Sequence, residues 1–218
     1  MYRFSEDNNI TELVFIIDRS GSMEGFESDT IGGFNSMIKR QRMTDGEVLV
    51  TTILFNNNID MLHDRIPIEE ISPMSEMDYQ VMGCTALLDA IGGTIKHISS
   101  IHKYSRKSDV PKHTIFVITT DGMENASRSF TSKEVKKMIT EKTEKNGWEF
   151  IFLGANIDSV ETARNIGIRK ERAANYEQSR EGYAACYEAM SAFVDMVRGD
   201  TADFDDQEWK RKLDFDKH

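Results

Sequence analysis

The chain has 218 residues, with 37 acidic against 27 basic side chains and a formal net charge of −10. That balance argues against a nucleic-acid partner, which needs clustered Lys and Arg. At 39% hydrophobic and 29% charged, the composition is that of a folded domain and excludes a disordered chain.

Taken in chain order, the first element is the apolar run "LVFII" at 13–17. It lacks strict alternation and so reads as a strand covered on both faces. A helix follows over about 28–43, with Ile31, Phe34 and Ile38 inward; Gly32 and Gly33 weaken it and would permit close approach to the sheet. "VLVTTILF" at 48–55 is the second buried strand, and "NNNIDMLHDR" turns into a half-polar edge strand over about 58–65. Residues 66–82 form a connection without a clear period. A second helix opens at Thr85, with Leu88, Ile91, Ile95 and Ile98 at helical spacing. "TIFVITT" at 114–120 is the next strand. The helix after it carries a capping box, Thr131 with Glu134, and a staple from Phe130 to Val135. "EFIFLG" at 149–154 is a strand; a short helix runs from Asp158 to a stop at Gly167. "ERAANY" at 171–176 reads as a last edge strand, and a helix over about 179–198 closes at Gly199. Its stripe of Tyr183, Tyr187, Met190, Val194 and Val197 is core.

Alternating strands and helices predict an α/β fold, a three-layer Rossmann-like sandwich. Its central sheet is mostly parallel with one antiparallel edge strand, and helices cover both faces. Residues 1–199 make one domain and 200–218 an acidic tail, whose Phe204, Trp209, Leu213 and Phe215 could pack back or dock a partner.

Cys84 and Cys186 stand far apart, and the five histidines show no zinc spacing. The polar N-terminus carries no secretory leader and no run is long enough to span a membrane, so a cytoplasmic protein without a membrane partner is expected. Lys136 with Lys137 and Arg169 with Lys170 sit among acids and read as solvated faces.

Ligands in such folds bind at the carboxyl ends of the strands, where the strand order reverses. Three loops put oxygen donors there. Asp18, Ser20 and Ser22 stand in "DRSGSM", Thr85 in "GCTALLDAIG", and Asp121 in "TTDGMEN". Two carboxylates and three hydroxyls suit a hard divalent cation: Mg²⁺ first, with Mn²⁺ or Ca²⁺ as alternatives. Each piece also has a structural reading: a capping turn for the serines, an N-cap for Thr85, a turn pair for Asp121 and Gly122.

Together these motifs resemble the metal-ion-dependent adhesion site (MIDAS) of von Willebrand factor type A domains. The likeness covers roughly residues 11–199, and "GCTALLDAIG" is similar to bacterial, intracellular members. The resemblance implies that Ser20, Ser22 and Thr85 ligate the metal directly or nearly so, and that Asp18 and Asp121 do so directly or through water. It implies a partner protein whose Asp or Glu carboxylate completes the shell, with loop motion passed to the last helix. Cys84 departs from the pattern and is read as a neutral thiol beneath the loop; Glu124 and Asn125 are either groups that support the ligands from outside the shell or solvated loop residues, the second reading being preferred.

The leading function is therefore a divalent-metal-dependent protein-interaction module and not an enzyme. The alternative is an accessory subunit of an ATPase- or chelatase-type or stress-response assembly. A metal-dependent phosphohydrolase ranks lower: no GxxxxGK[ST] loop and no G-x-S-x-G elbow occurs.

Overall fold

The computed structural model describes residues 9–199 and 207–213. In chain order the elements are β1 (Thr11–Asp18), α1 (Glu27–Gln41), β2 (Val48–Phe55), β3 (Ile59–Pro67), α2 (Leu87–Tyr104), β4 (His113–Thr120), α3 (Ser132–Asn146), β5 (Glu149–Gly154), α4 (Ser159–Asn165), β6 (Ala173–Asn175) and α5 (Arg180–Arg198). A single 3₁₀ turn, Trp209–Lys212, follows.

The six strands are ordered β3-β2-β1-β4-β5-β6. All neighbours are parallel except β2 and β3. Every β1 side chain is buried, and the alternation of a strand divides them between two cores. Leu13, Phe15 and Ile17 face α1 and α5, whereas Val14 and Ile16 face α2, α3 and α4. This is the expected three-layer sandwich, and it explains why the strand sequences show no polar face. Glu12, also fully buried on β1, is satisfied by Arg65 Nε and His102 Nε2, both at 2.8 Å.

Several local expectations need adjustment. On α1, Met37 is buried beside Phe34 and Ile38, while Ile31 is only half-buried. Gly33 makes room for α5 and not for the sheet: a Cβ there would stand 2.1 Å from the Tyr187 ring. The Thr131 and Glu134 capping box forms. Phe130 packs over Gly92 of α2, where a Cβ would meet its ring at 2.6 Å. Asp158 caps α4 by accepting from the Glu161 N–H, and Gly167 stops it with a φ of +90°.

Beyond α5, Trp209 is buried with its ring 5.9 Å from Phe193, and Leu213 packs against the same core. Those two residues therefore pack back on the domain. Phe204 and Phe215 lie outside the described residues. Among the described residues no helix is long and apolar enough to cross a membrane.

Candidate metal centre

The chain leaves β1 toward β2 on one side and returns to β4 on the other, so the strand order reverses between β1 and β4. Asp18 ends β1 and Asp121 follows β4, which sets both carboxylates at that reversal.

Asp18 is fully buried. Its Oδ1 accepts from the Ser20 N–H at 2.7 Å, and its Oδ2 accepts from Thr120 Oγ1 at 2.5 Å. Its backbone carbonyl accepts from the Tyr79 hydroxyl. Burial outweighs these donors and, with the Asp121 charge adding, pushes its pKa up to about 6. Burial also raises Asp121 above the usual carboxylate range, against hydrogen bonds from Ser22 and Gln178 that lower it.

The hydroxyls converge on the same place. Ser20 Oγ and Ser22 Oγ are 3.1 Å apart, and Ser22 Oγ donates to Asp121 Oδ1 at 2.5 Å. A Cβ on Gly122 would lie 2.9 Å from Thr85 Oγ1, 3.1 Å from Ser22 Oγ and 3.7 Å from Ser20 Oγ. Glycine thus leaves open a small volume faced by three hydroxyls from two loops. The residues fit a small hard cation. Two oxygens sharing an edge of an octahedral Mg²⁺ shell with ~2.1 Å bonds lie about 3.0 Å apart, close to the serine pair. Among the described residues no three His, Cys, Asp or Glu side chains gather as a metal site; the donor set here is two carboxylates with hydroxyls.

All five expected ligand residues, Asp18, Ser20, Ser22, Thr85 and Asp121, belong to this cluster. Thr85 is not a helix cap, because α2 begins two residues later and its N-cap, Ala86, makes no side-chain bond. The capping alternative for Thr85 falls away, and its hydroxyl is turned to the cluster.

Thr120 and Gln178 escaped the sequence reading, and Asn125 and Glu124 take the supporting role it had not preferred. Thr120 bridges Asp18 and the Gly122 N–H. Gln178 donates from Nε2 to Asp121 Oδ2 at 2.9 Å and to the Ser22 carbonyl at 3.2 Å, while its Oε1 accepts from Asn156. Asn125 is no idle loop residue: its Oδ1 accepts from the Thr85 N–H at 2.9 Å, and its own N–H returns to the Thr85 carbonyl at 3.1 Å. Glu124 accepts from the backbone N–H of Leu88, Ala126 and Ser127. The run "MENAS" staples the loop after β4 onto the start of α2, and its density of Glu, Asn and Ser was the available signal. Cys84 is exposed and not tucked beneath the loop; its N–H donates to Asn57 Oδ1.

No protein-family model matches the chain, and no curated protein matches it in sequence. Solved structures do match. A von Willebrand factor type A protein from Catenulispora acidiphila aligns over 84% of this chain and 42% of its own, at 12% identity and a TM-score of 0.56. The manganese-loaded TRAP protein of Plasmodium vivax aligns over 82% and 72%, at 15% identity and a TM-score of 0.56. Proximal thread matrix protein 1 from the mussel byssus, with zinc in its MIDAS motif, aligns over 84% and 45%, at 15% identity and a TM-score of 0.55. The chain spans less than half of the first and third of these proteins and about three quarters of the second. With the strand order, the single antiparallel edge and the helices on both faces, these likenesses show that the chain has the von Willebrand factor type A fold.

Proposed function

We propose that the chain is a protein-interaction module that depends on a divalent metal and recognises an Asp or Glu carboxylate on a partner. One observation carries the reading: three hydroxyls from two loops face the space that glycine at position 122 leaves, with Asp121 bonded to Ser22 and Asp18 to the Ser20 N–H beside them. Ser20, Ser22 and Thr85 would hold the ion together with Asp18 and Asp121. A bound Mg²⁺ or Mn²⁺ supplies positive charge to which a partner's carboxylate can bind. Two proteins of the same fold, one manganese-loaded and one with zinc in its MIDAS motif, support a divalent ion at this position.

The chain's own residues prepare the place. Asp18, its pKa pushed up to about 6, is ionised at neutral pH, while Thr120 and the Ser20 N–H hold both its oxygens. Asn125 fixes the backbone of Thr85 on both its N–H and its carbonyl. Gln178 holds Asp121 against the Ser22 loop. This reading assigns no catalytic residue. His63, His97 and His102 bond to Thr52, Asp64 and Glu12, away from the cluster.

Calorimetric titration with Mn²⁺ and Mg²⁺ tests the proposal. Saturable binding is expected for the wild type, with loss in Asp18→Ala and weakening in Thr85→Ala; equal affinity in all three would refute it. Phosphoester turnover that disappears in Asp18→Asn would replace the module by an enzyme.

A further inference from the structure

We infer that the partner segment carries a single recognised carboxylate flanked by large apolar side chains. The inference rests on the metal-dependent reading above and specifies its partner. Two large apolar side chains flank the cluster and stand in water: Met82 is 57% exposed and Met123 75%. Both are held beside the candidate ligands by short connections. The Met82 N–H donates to the Arg19 carbonyl at 3.0 Å, and the next residue, Gly83, accepts from the Gly21 N–H at 3.0 Å. Met123 directly follows Gly122, at which a Cβ would stand 2.9 Å from Thr85 Oγ1 and 3.1 Å from Ser22 Oγ. Ile59, 42% exposed, opens β3 two residues after Asn57, which accepts from the Cys84 N–H. A hydrogen bond holds the backbone under Met82, strand pairing holds it under Ile59, and Met123 adjoins Gly122 in the chain.

Charge selects the occupant. The loop and helix start at 81–88, "VMGCTALL", have no charged side chain. Arg19, the cation nearest in sequence to the candidate ligands, is already paired with Asp60. A charged neighbour of the recognised acid would be desolvated against that loop without a counter-charge. A run of acids would also meet a chain of net charge −10. Apolar neighbours gain instead, because covering exposed methionine is favourable and its flexible thioether adapts to varied shapes. One acid between large apolar residues is the segment that satisfies both conditions.

Three capped heptapeptides test this by fluorescence anisotropy in Mn²⁺: one Asp among leucine and phenylalanine, one Asp among serines, and seven aspartates. The apolar-flanked peptide is expected to bind about tenfold more tightly than either of the others. Chelator should abolish its binding. In Met82→Ser/Met123→Ser the preference should shrink to about twofold or less, with calorimetric Mn²⁺ affinity unchanged. Equal binding of the peptides, tighter binding of the polyaspartate, absence of peptide binding to Mn²⁺-loaded protein, or a preference that survives the double substitution would each overturn the inference. Failure of Mn²⁺ itself to bind would refute the underlying metal reading, a result the calorimetry reads separately.

Discussion

The Gln178 side-chain amide donates to Asp121 across 57 residues of sequence, at 2.9 Å. Gln178 immediately precedes Ser179, the N-cap of α5, and its amide also reaches the Ser22 carbonyl and Asn156. One side chain therefore links the loops after β1, β4 and β5 to the start of the last helix. Gln178→Ala removes these bonds together. It is expected to lower stability in urea by about 1–2 kcal/mol. The loss should be smaller with saturating Mn²⁺ present, since a shared ion ties the first two of those loops independently.

Gly122→Ala is expected to abolish metal binding while leaving the fold intact. The new Cβ would lie 2.9 Å from Thr85 Oγ1 and 3.1 Å from Ser22 Oγ, inside the space a cation needs. Titration calorimetry should show no saturable Mn²⁺ heat, and the far-ultraviolet circular dichroism should match the wild type. Unchanged affinity would mean that the ion, if bound, sits elsewhere.

The pH dependence follows from Asp18. Its pKa in the fold, about 6, lies above the value of 3.8 for a free side chain. A raised carboxyl favours the fold while protonated, so this contribution is present below about pH 4 and disappears as pH rises through about 6. Metal-free protein should therefore lose stability across that window, and bound metal should restore it. Mn²⁺ affinity should fall about tenfold per pH unit below 6, because a proton and the ion compete for one carboxylate. Asp18→Asn should remove Asp18's share of the window and leave that of Asp121, which burial also raises. Its amide can donate to Thr120 Oγ1, freeing that hydroxyl for the Gly122 carbonyl, 3.1 Å away. At pH 7 the metal-free variant is expected to be more stable than the wild type by about 1–3 kcal/mol. Denaturant unfolding across pH 4–8 checks both signs.

Gly33→Ala should destabilise by about 2–3 kcal/mol, as overpacking in a filled interface does. The added methyl meets the buried Tyr187 ring at 2.1 Å. Gly32→Ala is the control, with nothing within 4 Å of its Cβ, and should be neutral or slightly stabilising. Thermal unfolding of the pair separates a packing role for Gly33 from simple helix propensity.

The contrast between those two glycines shows what a one-dimensional reading can reach. A glycine pair in a helix reports that something comes close; it does not report whether the neighbour is strand or helix, since Tyr187 lies more than 150 residues away. The strands were legible because burial on both faces forces continuous apolar runs, and β1, β2, β4 and β5 lie where those runs stand. Of the five oxygen donors, Asp18, Ser20, Ser22 and Asp121 were legible from their places after strand ends, and Thr85, which precedes α2, from the resemblance of the whole motif set. Gln178 was not, and Asn125 could be named as a neighbour of the site but not told from a solvated loop residue. Their roles rest on hydrogen bonds to backbone or side chains 40 and 57 residues away, and a polar loop residue looks the same in sequence whether it bonds to protein or to water.

The chain has two tryptophans, and they stand in unlike places. Trp148 is stacked on Phe116 over β4, in the core on the α2 side. Trp209 is wedged against Phe193 on α5, and its indole N–H has no acceptor among the described residues. A buried indole without a polar partner emits at short wavelength, and water reaching it shifts that emission to the red. Once Trp148 is replaced by Phe, the emission colour of Trp209 becomes an optical gauge of how firmly α5 is seated, readable in native protein without any attached dye.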